Sequence, residues 1–156
     1  MKIKNHLIVI STIIFGFWLD NYLNQFTIKF FLELNLGFLI FSYWVFALPE
    51  KIQSIEAMLY GLAVDIFFSN VIGFNMLFFI TTSYIIHLYV FRFRIFSYFQ
   101  LSVFFSGFST FYIAFKYLLL SPNNYSYFVL ILSFVANAIL WIGIYLMMRA
   151  FRRRFF

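Results

Sequence analysis

Two aspartates in apolar surroundings are the residues of this sequence best suited to chemistry. GFWLD ends at Asp20 and GLAVD ends at Asp65, so each carboxylate follows a glycine by four residues. Carboxylates inside a membrane could relay protons or bind an ion. The same spacing, extended by Thr12 and Ala57, also forms small-residue helix faces, on which each aspartate would hydrogen-bond to Ser, Thr or Tyr of a neighbouring helix. Both interpretations stay open, and helix packing is the commoner use.

The other polar residues within apolar stretches carry weaker signals. Ser83 and His87 are four residues apart, and so are Ser133 and Asn137, which places each pair on one face of a helix. A lone histidine of this kind is more often a packing residue than a metal ligand. The hydroxyls of Ser102, Ser106 and Ser109 form a similar stripe. The chain has no cysteine, Walker loop, zinc-binding HExxH or GxSxG segment, so we predict no catalytic, metal-binding or cofactor-binding residue.

The composition indicates a membrane protein. Of the 156 residues, 65% are hydrophobic and only 10% are charged, whereas soluble domains average about 25% charged residues. Sixteen charges are too few to cover a soluble domain of this size, but lipid can cover an apolar exterior. We therefore predict a single integral-membrane domain over residues 1–156.

Turn-forming and charged residues divide the chain into spans. YWVFALPEKI passes from apolar residues into Pro49, Glu50 and Lys51, which mark the end of a helix at the membrane surface. Ser69, Asn70 and Gly73 indicate a turn between two further helices. The pattern predicts an all-α protein with six transmembrane helices at about 7–23, 30–48, 52–68, 74–91, 98–118 and 125–148, followed by a basic tail at 149–156.

The basic residues predict the orientation. With six helices and a cytoplasmic N-terminus, nine of the 11 Lys and Arg residues lie in the cytoplasm, whereas a single span over 52–91 would divide the arginines between the two sides. Both termini are therefore predicted to be cytoplasmic. The net charge of +6 then reflects topology anchors and contacts to anionic lipid, not a nucleic-acid site. The predicted anchors are Lys2, Lys4, Arg92, Arg94, Arg149, Arg152, Arg153 and Arg154.

The order of motifs resembles the MreD family of bacterial rod shape-determining membrane proteins. The resemblance covers nearly the whole chain and is most specific between YWVFALPEKI, GLAVDIFFSNVIGFNML and the basic FRFR loop. The positions that match the family pattern are Tyr43, Trp44, Ala47, Leu48, Pro49, Gly61, Asp65 and Gly73.

The resemblance implies a non-enzymatic protein of the bacterial inner membrane that helps to organise lateral peptidoglycan synthesis. Its implied partners are MreC in the membrane and the MreB filament below it. Ala57, Gly61 and Asp65 form the predicted helix-packing or partner face, and Asp65→Asn is expected to be tolerated. A homo-oligomer is also compatible with the sequence. The alternative is the substrate-binding subunit of a vitamin-type uptake transporter, with Asp20, Asp65 and the serine stripes around a ligand cavity; an integral-membrane enzyme ranks third.

Overall fold

A computed structural model of the chain describes residues 3–69, 71–124 and 126–155, and these residues form an all-α structure. They contain six helices, as predicted, whereas the prediction that all six cross the membrane stays a prediction. The helices are α1 (Ile3–Thr27), α2 (Leu36–Ala47), α3 (Ser54–Phe68), α4 (Phe74–Phe93), α5 (Tyr98–Leu120) and α6 (Tyr127–Phe155), with 3-10 turns at Ile28–Phe30 and Pro122–Asn124.

Consecutive helices pack as three hairpins, α1 with α2, α3 with α4 and α5 with α6. This up-and-down order brings most of the arginines to one end of the bundle, which we call the basic end. Asp20, Glu33 and Asp65 lie towards the opposite end, which we call the carboxylate end. The chain therefore separates most of its basic residues from its buried carboxylates along the bundle axis.

Within the described residues, four helical segments are long and apolar enough to cross a membrane: α1 with its following turn, α4, α5 and α6. Their outward faces carry large apolar side chains, such as Leu77 and Ile139, which are 62% and 68% exposed. Such faces are stable where lipid covers them. The chain is therefore a polytopic membrane protein.

Helix α2 occupies the centre of the bundle, and the helix alone is shorter than the hydrocarbon core of a membrane is thick. Its 12 residues span about 18 Å, whereas a hydrocarbon core is about 30 Å thick. It contacts α1, α4, α5 and α6, and residues 37–45 are all buried. Phe41 stacks on Phe79 of α4 with ring centroids 3.8 Å apart, and Phe38 lies 5.2 Å from Tyr112 of α5.

Helix α1 extends four residues beyond its predicted bounds of 7–23 at both ends. Three further differences concern α2, α3 and α6. The second helix begins at Leu36 instead of residue 30, because side chains of α1 and α6 bind the backbone of the preceding residues. The third begins at Ser54 instead of residue 52, because Gln53 and Glu56 form a capping box. The basic segment predicted as a tail continues α6 to Phe155. The predicted start of the last helix at Tyr125 lies outside the described residues.

Candidate functional site

Asp65 caps the N-terminus of α4. Its Oδ2 accepts hydrogen bonds from the backbone N–H groups of Gly73 (2.9 Å) and Met76 (3.2 Å). Its Oδ1 accepts from the backbone N–H and the side-chain amide of Asn75, at 3.0 and 2.9 Å. The carboxylate is 1% exposed, and a negative charge there is favourable because a helix N-terminus carries partial positive charge.

Asp20 performs the same task for α2. Its Oδ1 accepts from the backbone N–H of Leu36 at 2.6 Å, and its Oδ2 accepts from that of Gly37 at 2.8 Å. The side chain is 6% exposed. The two carboxylates therefore bind backbone amides of the next helix in the chain, and not the Ser, Thr or Tyr hydroxyls predicted from the sequence.

The glycine of each G-x-x-x-D segment lets the two helices of a hairpin approach closely. A Cβ added at Gly16 would lie 2.7 Å from the Gly37 Cα, and one added at Gly61 would lie 2.7 Å from the Met76 Cα. Both distances are shorter than van der Waals contact. The shared spacing therefore has the same structural role in both hairpins. The glycine lets the second helix approach the first, and the aspartate caps the N-terminus of that second helix.

The non-helical segment 32–35 enters the bundle and is held by three amide or hydroxyl side chains. Asn24 of α1 binds the backbone N–H and carbonyl of Leu34, at 2.8 and 2.9 Å. Ser133 Oγ accepts from the Glu33 N–H at 2.9 Å, and Asn137 Oδ1 accepts from the Asn35 N–H at 3.0 Å. Non-helical backbone is tolerated at membrane depth only when protein groups satisfy it in this way.

A polar cavity of about 150 Å³ opens at the carboxylate end. Lys116 of α5 lies there and pairs with the 5% exposed Glu33 at 2.7 Å. Tyr112 donates to Asn75 Oδ1 at 2.6 Å on the same wall. Small-molecule pockets usually measure about 300–1,000 Å³, so this cavity is small for a vitamin. Among the described residues, no group of three potential ligands could hold a metal ion.

The tyrosine, tryptophan and proline of YWVFALPEKI connect α2 to the helices around it. Trp44 Nε1 donates to Thr12 Oγ1 of α1 at 2.9 Å, and Tyr43 packs edge-on against Tyr145 of α6. The helix ends at Ala47, and the Leu48 N–H still bonds to the Trp44 carbonyl oxygen. These contacts give the motif a structural role in fixing α2.

Cationic or histidine side chains bind the last carbonyl groups of this motif. Arg152 of α6 donates to the Ala47 carbonyl oxygen at 3.0 Å, where the C-terminus of α2 carries partial negative charge. His87 Nε2 lies 2.8 Å from the Pro49 carbonyl oxygen, and its Nδ1 lies 2.6 Å from that of Ser83. His87 is therefore a packing residue between α4 and the loop after α2.

The remaining predicted residues divide between the core and the basic end. Ala57, Gly61 and Asp65 are buried, the last two of them against the start of α4. Gly73 adopts a left-handed φ of 102°, and its N–H donates to Asp65. Lys2 lies outside the described residues. The other predicted anchors lie at the basic end, where Arg149 and Arg152 are partly buried and the following residues are exposed: Lys4, Arg92, Arg94, Arg153 and Arg154.

Sequence reasoning missed several residues of the carboxylate end, namely Asn24, Glu33, Asn35, Asn75 and Tyr112. Their residue types could have indicated buried polar contacts, since asparagine and glutamate are costly inside a membrane unless they have hydrogen-bond partners. Asn24 and Glu33, however, flank the first turn, and polar residues are common in loops at the membrane surface. Only the folded chain shows that this loop is inserted between α1 and α6.

The bundle of four long apolar helices around a buried short helix, with polar side chains turned inward, defines a polytopic membrane protein built for internal helix packing. Residues 1–151 match the model of the rod shape-determining protein MreD. The chain belongs to the MreD family, which acts in determination of rod shape in bacteria, and the predicted resemblance is confirmed. No curated protein and no solved structure matches the chain.

Proposed function

We propose that this protein is a non-enzymatic membrane scaffold of the cell-elongation machinery that binds MreC within the bacterial cytoplasmic membrane and acts with MreB in lateral peptidoglycan synthesis. The family match over residues 1–151 is the observation that carries the proposal. The helices are joined by short connections, so most of the surface open to a partner is lipid-facing helix.

The hydrogen bonds that the two carboxylates accept favour a role as a scaffold over a role in ion or proton binding. All four carboxylate oxygens of Asp20 and Asp65 already accept hydrogen bonds from N–H groups. An ion would compete with the amides that hold the hairpins closed. The small volume of the polar cavity likewise argues against a vitamin-type substrate.

The packing of Gly61 against Met76 and Asn75 of α4 in the same chain favours a partner face elsewhere than Ala57 and Gly61. We place it on α6 around Gly143, which is exposed and has no atom within 4 Å of an added Cβ. Ala136 and Ala150 lie seven residues to either side, so small side chains recur on one helix face. Transmembrane helices associate through such small-residue faces because backbones can approach closely there.

Gly143→Leu should reduce co-purification with MreC without lowering the amount of folded protein. The added side chain meets open space in the isolated bundle but would separate the backbones at a helix–helix interface. The variant should also fail to restore rod shape in cells depleted of the unmodified protein. Recovery of MreC and accumulation of the variant should be measured together.

Gly107→Leu on α5 is the matched control, since Gly107 also has nothing within 4 Å of an added Cβ. It should retain MreC. Undiminished recovery with Gly143→Leu would exclude this face of α6, and failure of the unmodified protein to recover MreC would count against the scaffold proposal itself.

Both termini are proposed to be cytoplasmic. Eight described basic residues lie at the basic end and only Lys29 and Lys116 at the other, as expected if the basic end faces the cytoplasm. In this cysteine-free chain, Arg92→Cys should be protected in intact cells from a membrane-impermeant thiol reagent, whereas Asn123→Cys should be labelled. Equal labelling of the two positions before membrane permeabilisation would refute this topology.

A further inference from the structure

The basic end contains a cavity with two arginines on its wall. Arg94, which follows α4, and Arg152 of α6 line a space of about 210 Å³ together with Tyr43 and Tyr145. Arg152 uses Nη1 to bind the Ala47 carbonyl oxygen. Arg94 is exposed, and its guanidinium lies 5.9 Å from the centre of the Phe91 ring.

These arginines have no carboxylate partner in the described part of the chain, where the one ion pair joins Lys116 to Glu33 at the opposite end. Arg149 adds a third positive charge nearby and donates to the Tyr98 hydroxyl at 3.2 Å. A concave site with several uncompensated guanidinium groups and phenol hydroxyls favours a phosphate, because arginine binds phosphate oxygens through paired N–H groups.

An apolar groove adjoins this cavity. Tyr98 of α5 and Trp141, Ile142, Tyr145 and Leu146 of α6 line a space of about 230 Å³ that is almost entirely apolar. Tyr145 borders both spaces and lies 5.2 Å from the Tyr98 ring, measured between ring centroids. A third cavity, bordered by Arg94, Tyr98 and Tyr145, connects the two sets of residues.

The groove faces the membrane, since Ile142 and Leu146 are 42% and 56% exposed on the outside of α6. Its natural contents are therefore hydrocarbon chains. A phosphate at Arg94 and Arg152 and a hydrocarbon chain along Trp141 and Ile142 would belong to one molecule, and positively charged pockets between helices are typical headgroup sites.

We infer that the basic end binds one anionic phospholipid, with its phosphate between Arg94 and Arg152 and one acyl chain in the groove between α5 and α6. Gly143 is not among the residues that line these cavities, and the inference does not depend on MreC binding. Bound lipid would brace the end of α2 against α6, because Arg152 contacts both the proposed phosphate site and the Ala47 carbonyl oxygen.

The test compares lipid retention by the full chain purified from vesicles of phosphatidylcholine with and without phosphatidylglycerol. Native mass spectrometry should show one retained phosphatidylglycerol per protein and little phosphatidylcholine. Arg94→Gln should lower this retention by roughly fivefold, the loss expected when one basic group near an anionic headgroup is removed. Arg94 has no hydrogen bond to the described protein residues that the variant would break, so folding should be unaffected.

Arg92→Gln is the matched control, because Arg92 lies two residues away, is exposed, and does not border these cavities. It should retain phosphatidylglycerol like the unmodified protein. Equal losses for Arg92→Gln and Arg94→Gln would show diffuse charge attraction and overturn the site. Equal retention of phosphatidylglycerol and phosphatidylcholine by the unmodified protein would also overturn the site. Displacement of the lipid by soluble glycerol phosphate at matched concentration would assign the cavity to a free phosphate ester instead.

Discussion

Gly61→Leu should prevent the hairpin of α3 and α4 from packing. Even the first added atom would lie 2.7 Å from the Met76 Cα and 2.8 Å from the Asn75 carbonyl oxygen, and both of these are backbone atoms that cannot rotate away. Overpacking a well-filled core costs about 1–3 kcal/mol, and a clash with backbone should reach or exceed the upper value. Thermal unfolding in detergent and the folded yield after membrane extraction should both decrease.

Gly107→Leu and Gly143→Leu provide controls of the same chemical change at sites with no atom within 4 Å of an added Cβ. Both should unfold at the temperature of the unmodified protein. An unchanged unfolding temperature for Gly61→Leu would mean that the close approach of α3 and α4 is not required. This comparison also separates a folding defect from a partner defect, since only Gly143→Leu is expected to lose MreC while folding normally.

Asp65→Asn should destabilise the protein, contrary to the expectation from the sequence. All four groups bound by Asp65 are N–H donors, two on each oxygen. An asparagine keeps one oxygen and presents its own NH₂ to the other pair of donors, so two bonds are lost. The expected cost is about 2 kcal/mol, within the range for hydrogen bonds to charged groups and for helix caps.

Asp20→Asn should have a smaller effect, because Asp20 binds two backbone donors and would lose one of them. Asp65→Leu should be worse than Asp65→Asn, since it removes every acceptor from the start of α4. The unfolding temperature should therefore be highest for Asp20→Asn, lower for Asp65→Asn and lowest for Asp65→Leu. Normal folding of Asp65→Asn combined with loss of rod-shape function would contradict the capping role and support a role for the negative charge itself.

The sequence predicted the helices well because most of their signals are local. Pro49 lies two residues after the end of α2, where the chain must leave the apolar region. Gly73 forms the turn before α4, where its φ of 102° is unfavourable for other residues. The carboxylates of Asp20 and Asp65 stood out for an equally local reason, since charge is rare in apolar segments.

The partners of these carboxylates could not be predicted, because they are backbone amides whose exposure depends on tertiary structure. From the sequence, residues 30–35 are predicted to begin an apolar helix. Nothing in the local sequence shows that side chains of Asn24 and Asn137 bind this backbone in place of helical hydrogen bonds. Glu33 and Lys116 are separated by 83 residues. Pairing them requires knowing that α5 lies beside the inserted segment, which the periodicity of one helix does not reveal.

The inserted segment before α2 has a consequence for how the protein is made. The amides of Glu33 and Asn35 bind Ser133 and Asn137, which lie 100 and 102 residues later in the chain. Arg152, which binds the other end of α2, is synthesised later still. During synthesis the second membrane segment is therefore held at its start by Asp20 and Asn24 of α1, but it lacks the side chains of α6 that bind Glu33, Asn35 and the far end of α2. Its mature conformation is reached only after α6 enters the membrane, because side chains of the last helix supply the remaining hydrogen bonds to the second.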